Sequence, residues 1–183
     1  MSLDWHVLRA SLALRRGGVI ANATEGVIGL AAKASDRAAG QRIRALKRRP
    51  LAKPFIVVAA DVEQLARMVQ LDTPLRDQVL ASWPGPHTWV LPVVAGAPRW
   101  LVSKTRDMAV RVTAHAQMAA LCRAVGPIVS TSANPAGRRP ARDMLTARSY
   151  FRSAVMLYLP GSLGLSSRPT TIRDGRTGAL LRR

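Results

Sequence analysis

Lys47, Arg48, Arg49 and Lys53 fall within the stretch ALKRRPLAKPF, residues 45–55, where two prolines stiffen the chain just ahead of the apolar run IVVAA. A solvated loop carries charge without needing to hold it still. Lys47 and Arg49 leave the end of a helix, and Pro50 biases Arg49 away from α geometry. Two such alternate cations can clamp a phosphate chain from one side, arginine through a bidentate fork and lysine as a point charge. Arg48 and Lys53 are expected to face elsewhere. A second stretch, PIVSTSANPAG, delivers Ser130, Thr131, Ser132 and Asn134 at the end of an apolar run. Hydroxyls, an amide and free backbone N–H groups there can cradle phosphate or nucleotide oxygens. In NATEGVIGL, Thr24 and Glu25 sit beside Gly26 and Gly29, which let the backbone approach a small polar ligand. In AVRVTAH, Arg111 lies inside an apolar strand, so it must be paired, face an anionic ligand or point outward. Taken singly, each stretch also has an ordinary explanation: a solvated basic helix end, a Ser-rich turn, a capped turn or an outward-facing strand residue.

The elements that must position these groups alternate along the chain. A first, surface helix spans the MSLDWHVLRASLALRR region and is followed by the strand GGVIANAT. SDRAAGQRIRALKRR reads as a helix capped by Ser35 or Asp36, with its bases at the C-terminal end where the helix dipole favours them. FIVVAA reads as a strand, DVEQLARMV as a helix capped by Asp61, and TPLRDQVLASW as a short helix stopped by PGP. HTWVLPVV and DMAVRVT read as strands, AHAQMAALCRAV as a helix, PIVSTSA as a strand and ARDMLTARSYF as a helix. AVMLYLPG adds a strand, and TTIRDGRTGALLRR a closing hairpin around DGRTG. Hairpin-like connections beside helical crossovers predict a single α/β domain over residues 1–183, built on a mixed sheet flanked by helices. In open sheets of this kind ligands bind at strand ends.

Composition narrows the partners. Lys and Arg total 28 against 10 acidic residues, a net charge of +18 dominated by arginine. Such charge concentrates polyanions, so a nucleotide, tRNA or another RNA is the natural partner, although a general arginine bias would raise the charge equally. Cys122 is the sole cysteine, which excludes a disulfide framework, and within MAALCRAV it reads as a small apolar filler. His6, His87 and His115 are scattered singly, so no metal site is expected. There is no G-x-x-x-x-G-K-[ST] loop and no G-x-S-x-G elbow, which argues against a Walker-type nucleotide site and a serine hydrolase. No apolar run approaches the ~20 residues needed to span a bilayer, and the N-terminus does not resemble a signal peptide. A cytoplasmic protein is expected.

Together the segments resemble the YrdC/TsaC family of L-threonylcarbamoyladenylate synthases, in its short, single-domain form. GGVIANATEGVIGL, RIRALKRRPLAKPFIVV, WPGPHTWVLP, MAVRVTAH and VSTSANPAG follow in that family's order and spacing, from about Gly17 to Arg182. The resemblance implies a YrdC-like open twisted mixed sheet with a concave basic cavity. It implies a catalytic Lys-x-Arg and Ser-x-Asn tetrad at Lys47, Arg49, Ser132 and Asn134. Thr24 would help hold threonine. Arg111, Ser130 and Thr131 would line the same pocket with substrate or nucleotide contacts. Thr170, in RPTTIRD, and Arg182 would contact ligand near the C-terminus. The sequence departs from the family motif at Asn22, Ala23 and Ile28, which stand where the family carries Tyr, Pro and an aromatic residue. Those departures remove aromatic surface from the threonine or adenine pocket.

The implied reaction is a nucleotidyl transfer. The amine of L-threonine captures bicarbonate or CO2, the resulting carbamate attacks the α-phosphorus of ATP, and pyrophosphate leaves. Mg2+ is expected on the triphosphate. The product would feed the threonylcarbamoyl modification of adenosine 37 in tRNA, which makes tRNA or the transfer machinery an expected partner. The alternative is a non-catalytic module binding tRNA or double-stranded RNA, motivated by the net charge, GRRPARD and LLRR, but lacking interleaved aromatics for base stacking. A relative carrying carbamoyl groups to another acceptor is a third option.

Overall fold

The computed structural model describes residues 4–51, 53–164 and 170–182. Helix α1 (Trp5–Arg15) is started by Asp4, whose carboxylate accepts from the His6 amide. Strands β1 (Ile20–Ala23) and β2 (Ile28–Lys33) form an antiparallel pair. The sequence reading missed β2: its IGLAAK composition is poor in β-branched residues, and the pairing of Gly29 and Ala31 with β6 supplies what propensity does not. Helix α2 (Arg37–Lys47) is capped by Asp36, not Ser35, through a bond from the Ala39 amide. β3 (Ile56–Ala59), α3 (Val62–Ala66) with its Asp61 cap, and α4 (Arg76–Ala81) follow. Then come β4 (His87–Pro92), β5 (Asp107–Val112), α5 (Ala116–Val125), β6 (Ile128–Ser132) and α6 (Met144–Phe151). The expected strand at AVMLYLPG shrinks to β7 (Leu157–Tyr158), and the closing hairpin is β8 (Thr171–Asp174) with β9 (Leu180–Arg182).

Among the described residues nine strands make one mixed sheet, in the order β7-β1-β2-β6-β3-β5-β4-β8-β9. β3 pairs in parallel with β5 and β4 with β8, whereas β2–β6, β6–β3 and β5–β4 are antiparallel. Neighbouring strand residues project to opposite faces. Ala21, Leu30, Val57 and Val129 project into a large apolar cluster with Ala39 and Ile43 of α2, Leu65 of α3 and Phe151 of α6. Their neighbours Ile20, Ala31, Val58 and Ile128 project the other way and pack against Val7 and Leu14 of α1 and Met118 and Leu121 of α5. Each fully buried Val, Leu, Ile, Phe or Met among them stabilises the fold by about 1.5–3 kcal/mol.

That second face is covered over only part of its area. The row Ala31–Ser130–Ile56–Ala109 crosses four strands on the α1/α5 side, and Gly29 faces Ser132 one row beyond. Gly29, Ser130, Ser132, Ile56 and Ala109 line an open cavity. No helix among the described residues is long and apolar enough to cross a membrane.

Candidate active site

The cavity has a volume of about 530 Å³. Its floor is apolar, from Ile56 of β3, Ala109 of β5 and Ile172 of β8. Hydroxyls rim it, from Thr24, Ser130, Thr131, Ser132 and Thr170. Arg49, Lys53, Arg111 and Arg182 also line it, and among the described lining residues none is acidic. Eight of the ten residues singled out from sequence therefore meet at one place; Lys47 and Asn134 stand behind the wall. Gly29 permits the close approach of two of the hydroxyl residues. A Cβ there would sit 3.0 Å from Thr24 Cγ2 and 3.2 Å from Ser130 Oγ.

Lys47 is the last residue of α2, and Arg48 takes a left-handed conformation (φ 49°) that turns the chain before Arg49. The two cations consequently do not extend side by side as the sequence reading expected. Lys47, buried, donates from Nζ to the Ser132 carbonyl, to the Asn134 carbonyl at 2.6 Å and to Asn134 Oδ1 at 3.3 Å. The Ser132 hydroxyl donates to Asn134 Oδ1 at 2.6 Å, and Asn134 Nδ2 donates to the Arg138 carbonyl at 2.7 Å. The Lys47 carbonyl accepts from the Ala136 amide, so backbone and side chain together pin α2 to the loop after β6. Three acceptors match the three N–H groups of an ammonium. Burial, with Arg49 nearby, pushes Lys47 down to about 8, which leaves it charged at neutral pH.

Arg49 donates to the Pro54 carbonyl at 2.7 Å and lies over the Phe55 ring. Arg44 stacks on the same ring and donates to the carbonyls of Pro50 and Lys53. This loop is thus held by guanidinium-to-carbonyl bonds as well as by its prolines. Burial lowers the Arg49 pKa, and the charges of Arg44 and Arg182 lower it further; burial likewise lowers that of Arg182. Arg49 Nε is buried without a hydrogen-bond partner among the described residues. A crowd of cations with an unspent donor is relieved by an incoming anion.

Arg111 is neither outward-facing nor free. Its Nη2 lies 3.0 Å from Glu25 Oε2, both side chains being nearly inaccessible to water. The Thr113 hydroxyl donates to Glu25 Oε1 at 2.5 Å. Thr24 Oγ1 donates to the Val27 carbonyl, which forms the tight turn between β1 and β2. Sequence reasoning missed two things here. Lys53 lines the cavity instead of facing elsewhere, and the Glu25–Arg111 pairing spans too much of the chain to read locally. The presence of a buried-strand arginine was its only trace.

The sequence matches the Sua5/YciO/YrdC family, described as "Telomere recombination", over residues 12–183. The chain belongs to the Sua5/YciO/YrdC family. Within it, a relative from Halorhodospira halophila named threonylcarbamoyl-AMP synthase is 49% identical over 181 residues, covering 98% of this chain and 95% of the relative. A second of the same name, from Nitrosococcus oceani, is 46% identical and covers 98% of both chains. Among solved structures, P. abyssi Sua5 complexed with L-threonine superposes with a TM-score of 0.86 at 30% identity, covering 95% of this chain. The chain spans 52% of that Sua5. E. coli YciO superposes with a TM-score of 0.85 at 26% identity, covering 97% of this chain and 88% of its own.

Proposed function

We propose that this Sua5/YciO/YrdC chain is a threonylcarbamoyl-AMP synthase, a nucleotidyltransferase that makes L-threonylcarbamoyladenylate and pyrophosphate from L-threonine, bicarbonate or CO2, and ATP. The observation that carries the reading is the convergence of Thr24, Arg49, Arg111, Ser130, Thr131, Ser132, Thr170 and Arg182 on one cavity. Relatives named for this activity, similar over nearly the whole chain, support it.

In this reading Arg49, Lys53 and Arg182 grip the triphosphate, and Lys47 fixes the Ser132–Asn134 turn that lines its path. The threonine nitrogen bonds to the carbon of CO2 and loses a proton to solvent, giving a carbamate. A carbamate oxygen bonds to the α-phosphorus while the bond from that phosphorus to the α,β-bridging oxygen breaks, and the electron pair departs on that oxygen with pyrophosphate. Rigid donors aimed at the phosphates supply several kcal/mol without reorganising during the step. Mg2+ would enter as part of the substrate, held by triphosphate oxygens and water. The product would serve tRNA threonylcarbamoyladenosine formation in the cytoplasm. No observation favours the non-catalytic RNA-binding reading.

The test is pyrophosphate release by purified protein. Release is expected only with ATP, threonine and bicarbonate together; release independent of threonine would overturn the proposal.

A further inference from the structure

The cavity's cations are of two kinds. Arg49, Lys53 and Arg182 have no acidic partner among the described residues, whereas Arg111 is matched by Glu25. Glu25 is itself held from three directions. Thr113 donates to Oε1 at 2.5 Å, Arg111 meets Oε2 at 3.0 Å, and the Gly164 amide bonds to the carbonyl of Thr24 just before it. Gly164 packs so close that a Cβ there would lie 2.9 Å from the Glu25 Cα. The Arg111–Oε2 contact is ionic without good hydrogen-bond alignment, so its main effect is to cancel charge.

We propose that Glu25 is the specificity-determining residue that splits this cavity into two electrostatic halves. By cancelling the charge of Arg111 inside the wall, it keeps that guanidinium from competing for phosphate. The Arg111 end then carries directional N–H donors without net positive charge, which suits a zwitterionic amino acid whose amine a bare cation would repel. The uncompensated Arg49–Lys53–Arg182 end is left as the better polyphosphate site. Glu25 acts through Arg111 and is a positioning residue; it does not line the cavity. The inference rests on the reading of the cavity as a site for ATP and threonine.

A residue with a merely structural role would weaken both ligands when removed. Charge partition makes the opposite prediction, because a freed Arg111 attracts phosphate. Isothermal titration of the full chain with inorganic tripolyphosphate and, separately, with L-threonine distinguishes the two. Glu25→Gln keeps the size and an acceptor for Thr113 but loses the charge. Its affinity for tripolyphosphate is expected to rise roughly fivefold while that for L-threonine falls roughly tenfold, both effects shrinking as salt is raised. Thr113→Val, which loosens Glu25 without removing its charge, is expected to shift both affinities in the same senses by about twofold, and it supplies the test if Glu25→Gln does not fold. Parallel weakening of both ligands, or no change in either, overturns the inference. If the wild-type chain binds neither ligand, it is the proposed function that fails.

Discussion

The two halves of the sheet face beneath α1 and α5 share strands but not fates. At one end Ile128 and Val58 are buried under helices; at the other Ser130, Ser132 and Ile56 look into a cavity. β6 crosses from one to the other within five residues, IVSTS, and its change from branched aliphatics to hydroxyls marks where the helical cover stops. Apolar side chains gain by exclusion of water only where something covers them; where nothing does, hydroxyls keep their hydrogen bonds and remain available to a ligand. Stability is therefore expected to reside mainly in the covered half and turnover in the open one.

The largest contrast is expected at Lys47. Lys47→Ala removes the ammonium that gathers the Ser132 and Asn134 carbonyls, and pyrophosphate release should fall about 10²–10³-fold. Retention of full turnover would dissociate the tetrad from the chemistry. Next comes Ile128→Ala in the covered half, expected to lose about 2–5 kcal/mol in urea unfolding while the folded fraction keeps its turnover. Ser130→Ala in the open half should do the reverse, with a Tm within a few degrees of wild type and turnover reduced about tenfold. If both variants changed the same property, the division between the halves would be wrong.

A smaller effect concerns pH. The folded value of Lys47, about 8, lies below its ordinary 10.5. Between those values the unfolded chain holds more protons than the native one, so this group's contribution to stability rises with pH across that window and its penalty is complete below it. The unfolding free energy of wild type minus that of Lys47→Met should increase from about pH 8 to 10.5; a flat difference would place Lys47 in a solvated setting. The smallest effect belongs to the covered half. Burial pushes the Cys122 thiol up to about 12, so iodoacetamide at pH 8 should modify it only after denaturation. Rapid labelling of the native chain would show that α5 does not seal that face.

Much of this was legible locally. The Asp36 and Asp61 caps, the Val-rich strand β3 and the turn around DGRTG follow from side-chain chemistry within a few residues. β2 was not legible, because IGLAAK acquires strand geometry from its partners on either side. The basic stretch was legible as an inventory and not as a geometry. Arg49 lines the cavity, but the left-handed turn at Arg48 sends Lys47 to the carbonyls after β6, and Lys53 comes round to the cavity in its place.

What the sequence determined by itself is the inventory: which side chains are able to hold a polyanion, and which apolar runs must be buried beside them. That follows because hydrophobicity, capping and charge are properties of neighbouring residues. Only the tertiary structure decided that Glu25 cancels Arg111 from 86 positions away and that α1 and α5 leave part of the sheet bare. Charge cancellation falls off steeply with distance, and separation along the chain says nothing about separation in space.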